Sequence, residues 1–92
     1  MDKILKHSRI VCAAKCILNL DGFDCQGIIE NISLSGALIK LDSEIPNRVR
    51  PGDKCYMMLC SNLDSYPVKY TSKVIRLDTA AIGIEFLELN IL

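Results

Sequence analysis

Residues 23–36 read FDCQGIIENISLSG, an alternating stretch that runs into a polar bend. Apolar or small residues hold the odd positions and polar residues hold most of the even ones, as far as Glu30. A period of two predicts a β-strand with one face in a core. Because Asn, Ser and Gly dominate turns, Asn31 to Gly36 predicts a sharp bend. We therefore expect one strand to end at Asn31 and the next to begin at Ala37.

The rest of the chain shows similar strand patterns, separated by turn-forming residues. The predicted strands span residues 10–18, 23–30, 37–41, 55–59, 68–76 and 81–86. Six short antiparallel strands favour a closed barrel, because closure hides the sheet edges. The predicted fold class is all-β, a small six-stranded antiparallel barrel. It forms one domain over residues 1–92, with a flexible basic arm at 1–9 and the barrel at 10–92.

The last residues of the chain are apolar. Residues 87–92 read LELNIL, and we expect them to cap one mouth of the barrel or to contact a second subunit. A homodimer is therefore compatible with the sequence.

Composition excludes several classes of function. Eleven Lys/Arg balance eleven Asp/Glu, so any anion site must be local. Three Tyr, two Phe and no Trp, on a neutral chain, give poor support to a nucleic-acid-binding barrel. The basic N-terminus fails as a signal-peptide core, and no segment approaches the ~20 apolar residues of a membrane helix. We expect a soluble, cytoplasmic protein.

The five cysteines do not form a recognisable metal or disulfide pattern. They are Cys12, Cys16, Cys25, Cys55 and Cys60, and no two have Cys-x-x-Cys spacing. Residues 12 and 16 of one strand would stand ~13 Å apart, too far to share one zinc ion. We interpret the thiols as reduced, small core residues, and we expect no metal and no cofactor. No nucleophile–base pair is visible, so an enzyme is not predicted.

The bend at Asn31-x-Ser33-x-x-Gly36 has two interpretations. It can be an ordinary hairpin turn, which is the commoner outcome for these residue types. It can also aim side-chain donors and acceptors at one planar polar ligand, with the glycine allowing close approach. Local chemistry by itself leaves both open.

Three separated pieces of sequence resemble the PilZ domain family. Asn31-x-Ser33-x-x-Gly36 is similar to the family's [Asp/Asn]-x-Ser-x-x-Gly motif between strands two and three. Lys6 to Arg9 stands where the family carries an Arg-x-x-x-Arg arm, and Gly83 to Phe86 is similar to its closing strand. The resemblance implies a split-barrel type of fold, a bacterial origin, and binding of the second messenger cyclic di-GMP.

The resemblance also implies which residues bind the ligand. Arg9 would engage a phosphate or a guanine face, and Lys6 would supply a weaker second charge. Asn31 and Ser33 would hydrogen-bond a guanine, and Gly36 would keep the backbone open. Leu5 stands where the family has the first arginine of its arm.

Two functions follow from the resemblance. The first is a cyclic di-GMP receptor or adaptor that orders its arm on the dinucleotide and passes the signal to a partner protein. The alternative is a degenerate PilZ-type interaction module that binds only proteins, which Leu5 would permit. Alternation along the fifth strand places Lys69 and Lys73 on one face and Arg76 on the other, and we interpret all three as exposed strand residues.

Overall fold

The computed structural model describes residues 10–59 and 68–91, and within them the chain is built from six β-strands. Their bounds are β1 Ile10–Leu20, β2 Phe23–Ile32, β3 Gly36–Leu41, β4 Lys54–Leu59, β5 Val68–Leu77 and β6 Ala81–Ile91. They close into a barrel in the order β1-β2-β3-β6-β5-β4, and every neighbouring pair is antiparallel. The predicted all-β, six-stranded barrel is confirmed.

A two-residue turn joins β1 to β2. Asp21 and Gly22 both have positive φ, 51° and 85°, and Leu20 pairs directly with Phe23. Two consecutive residues with positive φ match the right-handed twist of the flanking strands, and Asp-Gly is a favoured sequence for this turn. The hairpin is therefore encoded locally.

The core consists of alternate side chains from all six strands. Residues that are at most 1% exposed include Leu18, Ile29, Ile39, Met57, Val74, Ile82 and Ile84. Val49, from the loop between β3 and β4, is also buried and packs into the same cluster. Cys16, Cys25 and Cys55 are buried thiols of this core, as expected of small core residues.

The structure differs from the sequence predictions at Phe23 and at the end of the sixth strand. Phe23 was expected on the core face, yet it is 63% exposed, because β2 pairs with β3 only from Gly27 onward and the hairpin end has no neighbour on that side. The apolar tail was expected to cap the barrel or contact a second subunit. Its backbone continues β6 as far as Ile91, which pairs with Val68 of β5, so the strand runs past its predicted end at residue 86. A contact with a second subunit stays a prediction.

Within residues 10–59 and 68–91, the structure contains no helix with the length and apolar character needed to cross a bilayer. The predicted arm at residues 1–9, Cys60 and the predicted turn at 61–65 lie outside the described residues.

Candidate ligand-binding groove

The bend between β2 and β3 is held by its own hydroxyl groups. The Ser35 N–H donates to Ser33 Oγ at 3.2 Å, and the two hydroxyl oxygens are 3.1 Å apart. The Ser33 N–H also donates to the Gly36 carbonyl at 2.8 Å. These contacts are those of a serine-stabilised turn. Ser33 therefore has a structural role in the turn, and its hydroxyl is held at the protein surface in a fixed place.

The backbones of β3 and β6 approach each other closely at Gly36. A Cβ added to Gly36 would clash with the Ile84 carbonyl oxygen and would lie 3.2 Å from the Ile84 carbonyl carbon. The Phe86 N–H donates to the Ser35 carbonyl at 2.8 Å, which ties the bend to the same strand. Position 36 therefore requires glycine, because the backbone of β6 leaves no space for a Cβ atom there.

Asn31 lies inside β2, and the prediction that the strand ends in a bend at this residue is wrong. Ile29 pairs with Ile39 of β3 and Asn31 pairs with Leu38, so β2 carries one additional residue, Glu30, at a β-bulge. Without the bulge Asn31 would face the core, as Ile29 does. The extra residue turns Asn31 to the outer face, in keeping with the tendency of bulges to re-aim side chains.

A second bulge lies in β5 and changes the position of Arg76. Val74 pairs with Ile84 of β6 and Arg76 pairs with Gly83, so Ile75 is the additional residue. Alternation had placed Arg76 on the face opposite Lys69 and Lys73, and that prediction is wrong. The Gly83 Cβ position would lie 3.4 Å from the Arg76 Cβ, which puts the two residues on one face of the barrel.

The two bulges create a row of four residues across four strands. Asn31 of β2 pairs with Leu38 of β3, Leu38 pairs with Gly83 of β6, and Gly83 pairs with Arg76 of β5. Directly paired residues share a face of the sheet. Three strand spacings of ~4.8 Å separate the ends of the row by roughly 14 Å along the sheet. We call these four residues the cross-strand row.

A shallow groove of about 130 Å³ lies beside the bend, over Leu38, Gly83 and Arg76 of this row. Its lining includes Ser33, Ser35, Leu38, Ile75, Arg76 and Gly83. Gly83 has no side chain and is buried, so the groove is deepest above it, and the more exposed Leu38 and Ile75 offer apolar surface on either side. The groove combines hydroxyl groups, a cation and flat apolar surface, which suits a planar polar ligand.

Charged side chains surround the groove in loose pairs. Arg76 Nη2 lies 3.4 Å from Asp78 Oδ2, and Lys73 Nζ lies 3.5 Å from Oε1 of Glu85, which also lines the groove. All four side chains are between 44% and 64% exposed. Exposed pairs contribute little to stability, so these charges can be redirected at small cost.

The predicted site residues fall into two groups. Asn31, Ser33 and Gly36 lie within one short segment of the described chain; Ser33 and Gly36 line the groove, and Asn31 pairs with Leu38, which lines it. Lys6 and Arg9 lie outside the described residues. Ile10, the first residue of β1, pairs with Ile32, the residue before Ser33.

Sequence reasoning missed Arg76 and Gly83 as neighbours of the bend. The pair Val74-Ile75 interrupts the alternation of β5 and is a local signal of the bulge. Which residue of the neighbouring strand lies opposite each bulge, however, depends on how the strands pair, so these neighbours could not be predicted from the sequence.

A family model for the PilZ domain matches residues 5–91, and the chain belongs to the PilZ domain family. A search of curated proteins found no match. Among solved structures, the chain is similar to the PilZ domain of CeSA from a cellulose-synthesizing bacterium, with a TM-score of 0.73 and 18% identity over 90% of this chain and 83% of that one.

The chain is also similar in fold to the Bacillus subtilis inhibitor of motility (MotI/DgrA). That comparison has a TM-score of 0.73 and 11% identity, and it covers 97% of this chain and 45% of the other. The chain therefore spans less than half the length of that protein. At these identities the two structures support the fold.

Proposed function

We propose that this protein is a receptor for cyclic di-GMP that passes the signal to a partner protein. PilZ domains are generally cyclic di-GMP-binding adaptors. The observation that carries the proposal is the groove at which the Asn31–Gly36 segment meets Gly83 of the closing strand. Two motifs that are far apart in the sequence share one surface there.

The chemistry of the groove matches parts of the ligand. Cyclic di-GMP presents two guanine bases and two phosphates. The amide of Asn31 offers both a donor and an acceptor to a guanine edge, and the fixed hydroxyl of Ser33 offers a further polar contact. The groove, at about 130 Å³, is small, so one base occupies it and the rest of the dinucleotide lies across the barrel surface.

The N-terminal arm supplies the cations of the proposed site. Arg9 directly precedes Ile10, and Ile10 pairs with Ile32 beside the bend, so the arm is attached at the motif. In the proposed mode Arg9 binds phosphate or stacks on a guanine, and Lys6 adds a point charge. Ordering of the arm over the ligand is the change that a partner protein detects. The reaction is binding, with no catalytic step.

Isothermal titration of the protein with cyclic di-GMP tests this proposal. Saturable binding is expected, and Arg9→Ala should weaken it by about ten- to a hundredfold, because one charge-assisted contact contributes ~1.5–3 kcal/mol. Asn31→Ala should weaken it by a smaller factor. Arg48→Ala, which removes the same charge from an exposed loop residue, serves as the control and should bind like the wild type. A protein that takes up no ligand at high concentration would refute the proposal.

A second candidate function is a PilZ-type module that binds only proteins. Leu5 at the position of the family's first arginine favours it, and so does Leu34, which is 77% exposed at the tip of the bend. The two candidates differ in the response to Leu5→Arg. For an interaction module whose defect lies at this position, the change should create nucleotide binding in a protein that otherwise shows none.

A further inference from the structure

We infer that Arg76 is a ligand-binding cation of the groove, contacting a phosphate of cyclic di-GMP while a guanine lies over Gly83. The inference rests on the proposed function and adds to it a residue that the family resemblance did not assign to the ligand. It follows from the placement of Arg76 by the β5 bulge at the end of the cross-strand row that begins at Asn31.

The floor of the groove is shaped for a flat group. Gly83 leaves its centre without a side chain, while Leu38 on one side and Ile75 on the other present aliphatic carbon. Ile75 is 53% exposed, so this apolar surface is open to a ligand. A purine base above the buried Gly83 would rest on Leu38 and Ile75 and would have its polar edge toward Asn31.

Arg76 is suited to phosphate because its present partner holds it weakly. The contact with Asp78 is long, at 3.4 Å, it uses one guanidinium nitrogen, and both side chains are more than half exposed. Such a pair contributes at most about 1 kcal/mol. A doubly bonded arginine–phosphate contact is stronger, so the guanidinium gains by turning from Asp78 to the ligand.

The arm has only one arginine, so a second guanidinium from the barrel would add a contact to the ligand. Because Leu5 replaces the first arginine of the arm, Lys6 and Arg9 offer one planar guanidinium to a ligand with two phosphates. Arg76 brings the other guanidinium from the barrel itself, where its backbone is fixed by pairing with Gly83.

Titrations of matched variants test the inference. Arg76→Ala should weaken the binding of cyclic di-GMP by about ten- to a hundredfold and should reduce the salt dependence of Kd. Arg48→Ala removes the same charge away from the groove and should leave Kd unchanged. Asp78→Asn removes the competing carboxylate and should tighten binding by roughly two- to fivefold.

The outcomes separate this inference from the proposed function. If the wild type binds and Arg76→Ala binds equally well, or if Asp78→Asn weakens binding, the role of Arg76 is refuted while the receptor function stands. If the wild type takes up no ligand, the receptor function itself fails. If only Leu5→Arg binds, the Arg76 and Asp78 variants are measured in that background with the same expected ratios. Melting temperatures close to that of the wild type show that each variant is folded.

Discussion

Replacing Gly36 by alanine should destabilise the barrel far more than replacing Gly83, although both are glycines of the same pair of strands. The alanine Cβ at position 36 would clash with the Ile84 carbonyl oxygen and would lie only 3.2 Å and 3.3 Å from the Ile84 carbonyl carbon and the Glu85 Cα. All three atoms belong to backbone. No side-chain rotation relieves the contact, so β3 must move away from β6.

The size of the effect can be worked from these contacts. Overpacking in a close-packed site costs ~1–3 kcal/mol, and a clash with rigid backbone belongs at the upper part of that range, at about 2–3 kcal/mol. In a domain of this size each kcal/mol lowers Tm by ~4–8 °C, so Gly36→Ala should melt roughly 8–24 °C below the wild type.

Gly83→Ala is the matched control. Its Cβ would meet the Arg76 Cβ at 3.4 Å and the Ile75 Cγ1 at 3.7 Å, both of them side-chain atoms at the ordinary edge of van der Waals contact. The lower entropy of the unfolded alanine chain offsets part of any crowding, so the free energy of unfolding should change by less than about 1 kcal/mol. Thermal and urea denaturation followed by circular dichroism measure both variants. A Gly36→Ala protein that melts within a few degrees of Gly83→Ala would refute the argument from backbone approach.

Three further predictions concern the groove and the core thiols. Gly83→Ala places a methyl group on the groove floor and should weaken the binding of cyclic di-GMP by roughly five- to a hundredfold with the fold intact; equal affinity would show that the base does not lie there. Burial, reinforced by the Asp53 carboxylate, raises the pKa of the Cys55 thiol from its ordinary 9.0 to about 12, so roughly one thiol in ten thousand is ionised at pH 8. Peptide mapping after iodoacetamide treatment should find Cys55 unmodified in the native protein and alkylated in urea, and rapid native alkylation would contradict its burial. Because the folded thiol keeps its proton while the unfolded one ionises, the stability that Cys55 contributes is fully present below about pH 9 and is lost as pH rises toward 12. Urea midpoints that stay level across this range, relative to those of Cys55→Ala, would contradict the predicted loss of stability at high pH.

Much of the strand layout could be predicted because strand formation depends on local pattern. The alternation around Cys25 and Ile29 identified β2 and its core face, and Asp21-Gly22 identified the hairpin. The end of β6 was missed because its alternation changes phase at Leu87: apolar residues hold even positions up to Phe86 and odd positions after it, where β6 has one residue more than β5. The strand conformation of residues 87–91 comes from pairing with β5, as in the contact between Ile91 and Val68.

The candidate site was predictable only in part. The motif residues Asn31, Ser33 and Gly36 could be selected from the sequence, and the structure supplies a local reason for two of them: Ser33 holds its turn and Gly36 admits the Ile84 carbonyl. Those reasons hold with or without a ligand, so the roles of the three residues in binding stay predictions that the titrations test.

By itself, the sequence determined where the six strands lie but not all their ends, and it also determined the first hairpin, the barrel class and the family. Periodicity, turn chemistry and motif spacing can be read directly from the order of residues. Only the tertiary structure decided which residues surround the bend. Each β-bulge adds one residue to one strand of a pair, and that addition reverses the face of every later side chain relative to the alternation seen in the sequence. Asn31 and Arg76 come to one outer face through two such shifts, at Glu30 and Ile75, which depend on the register with β3 and β6.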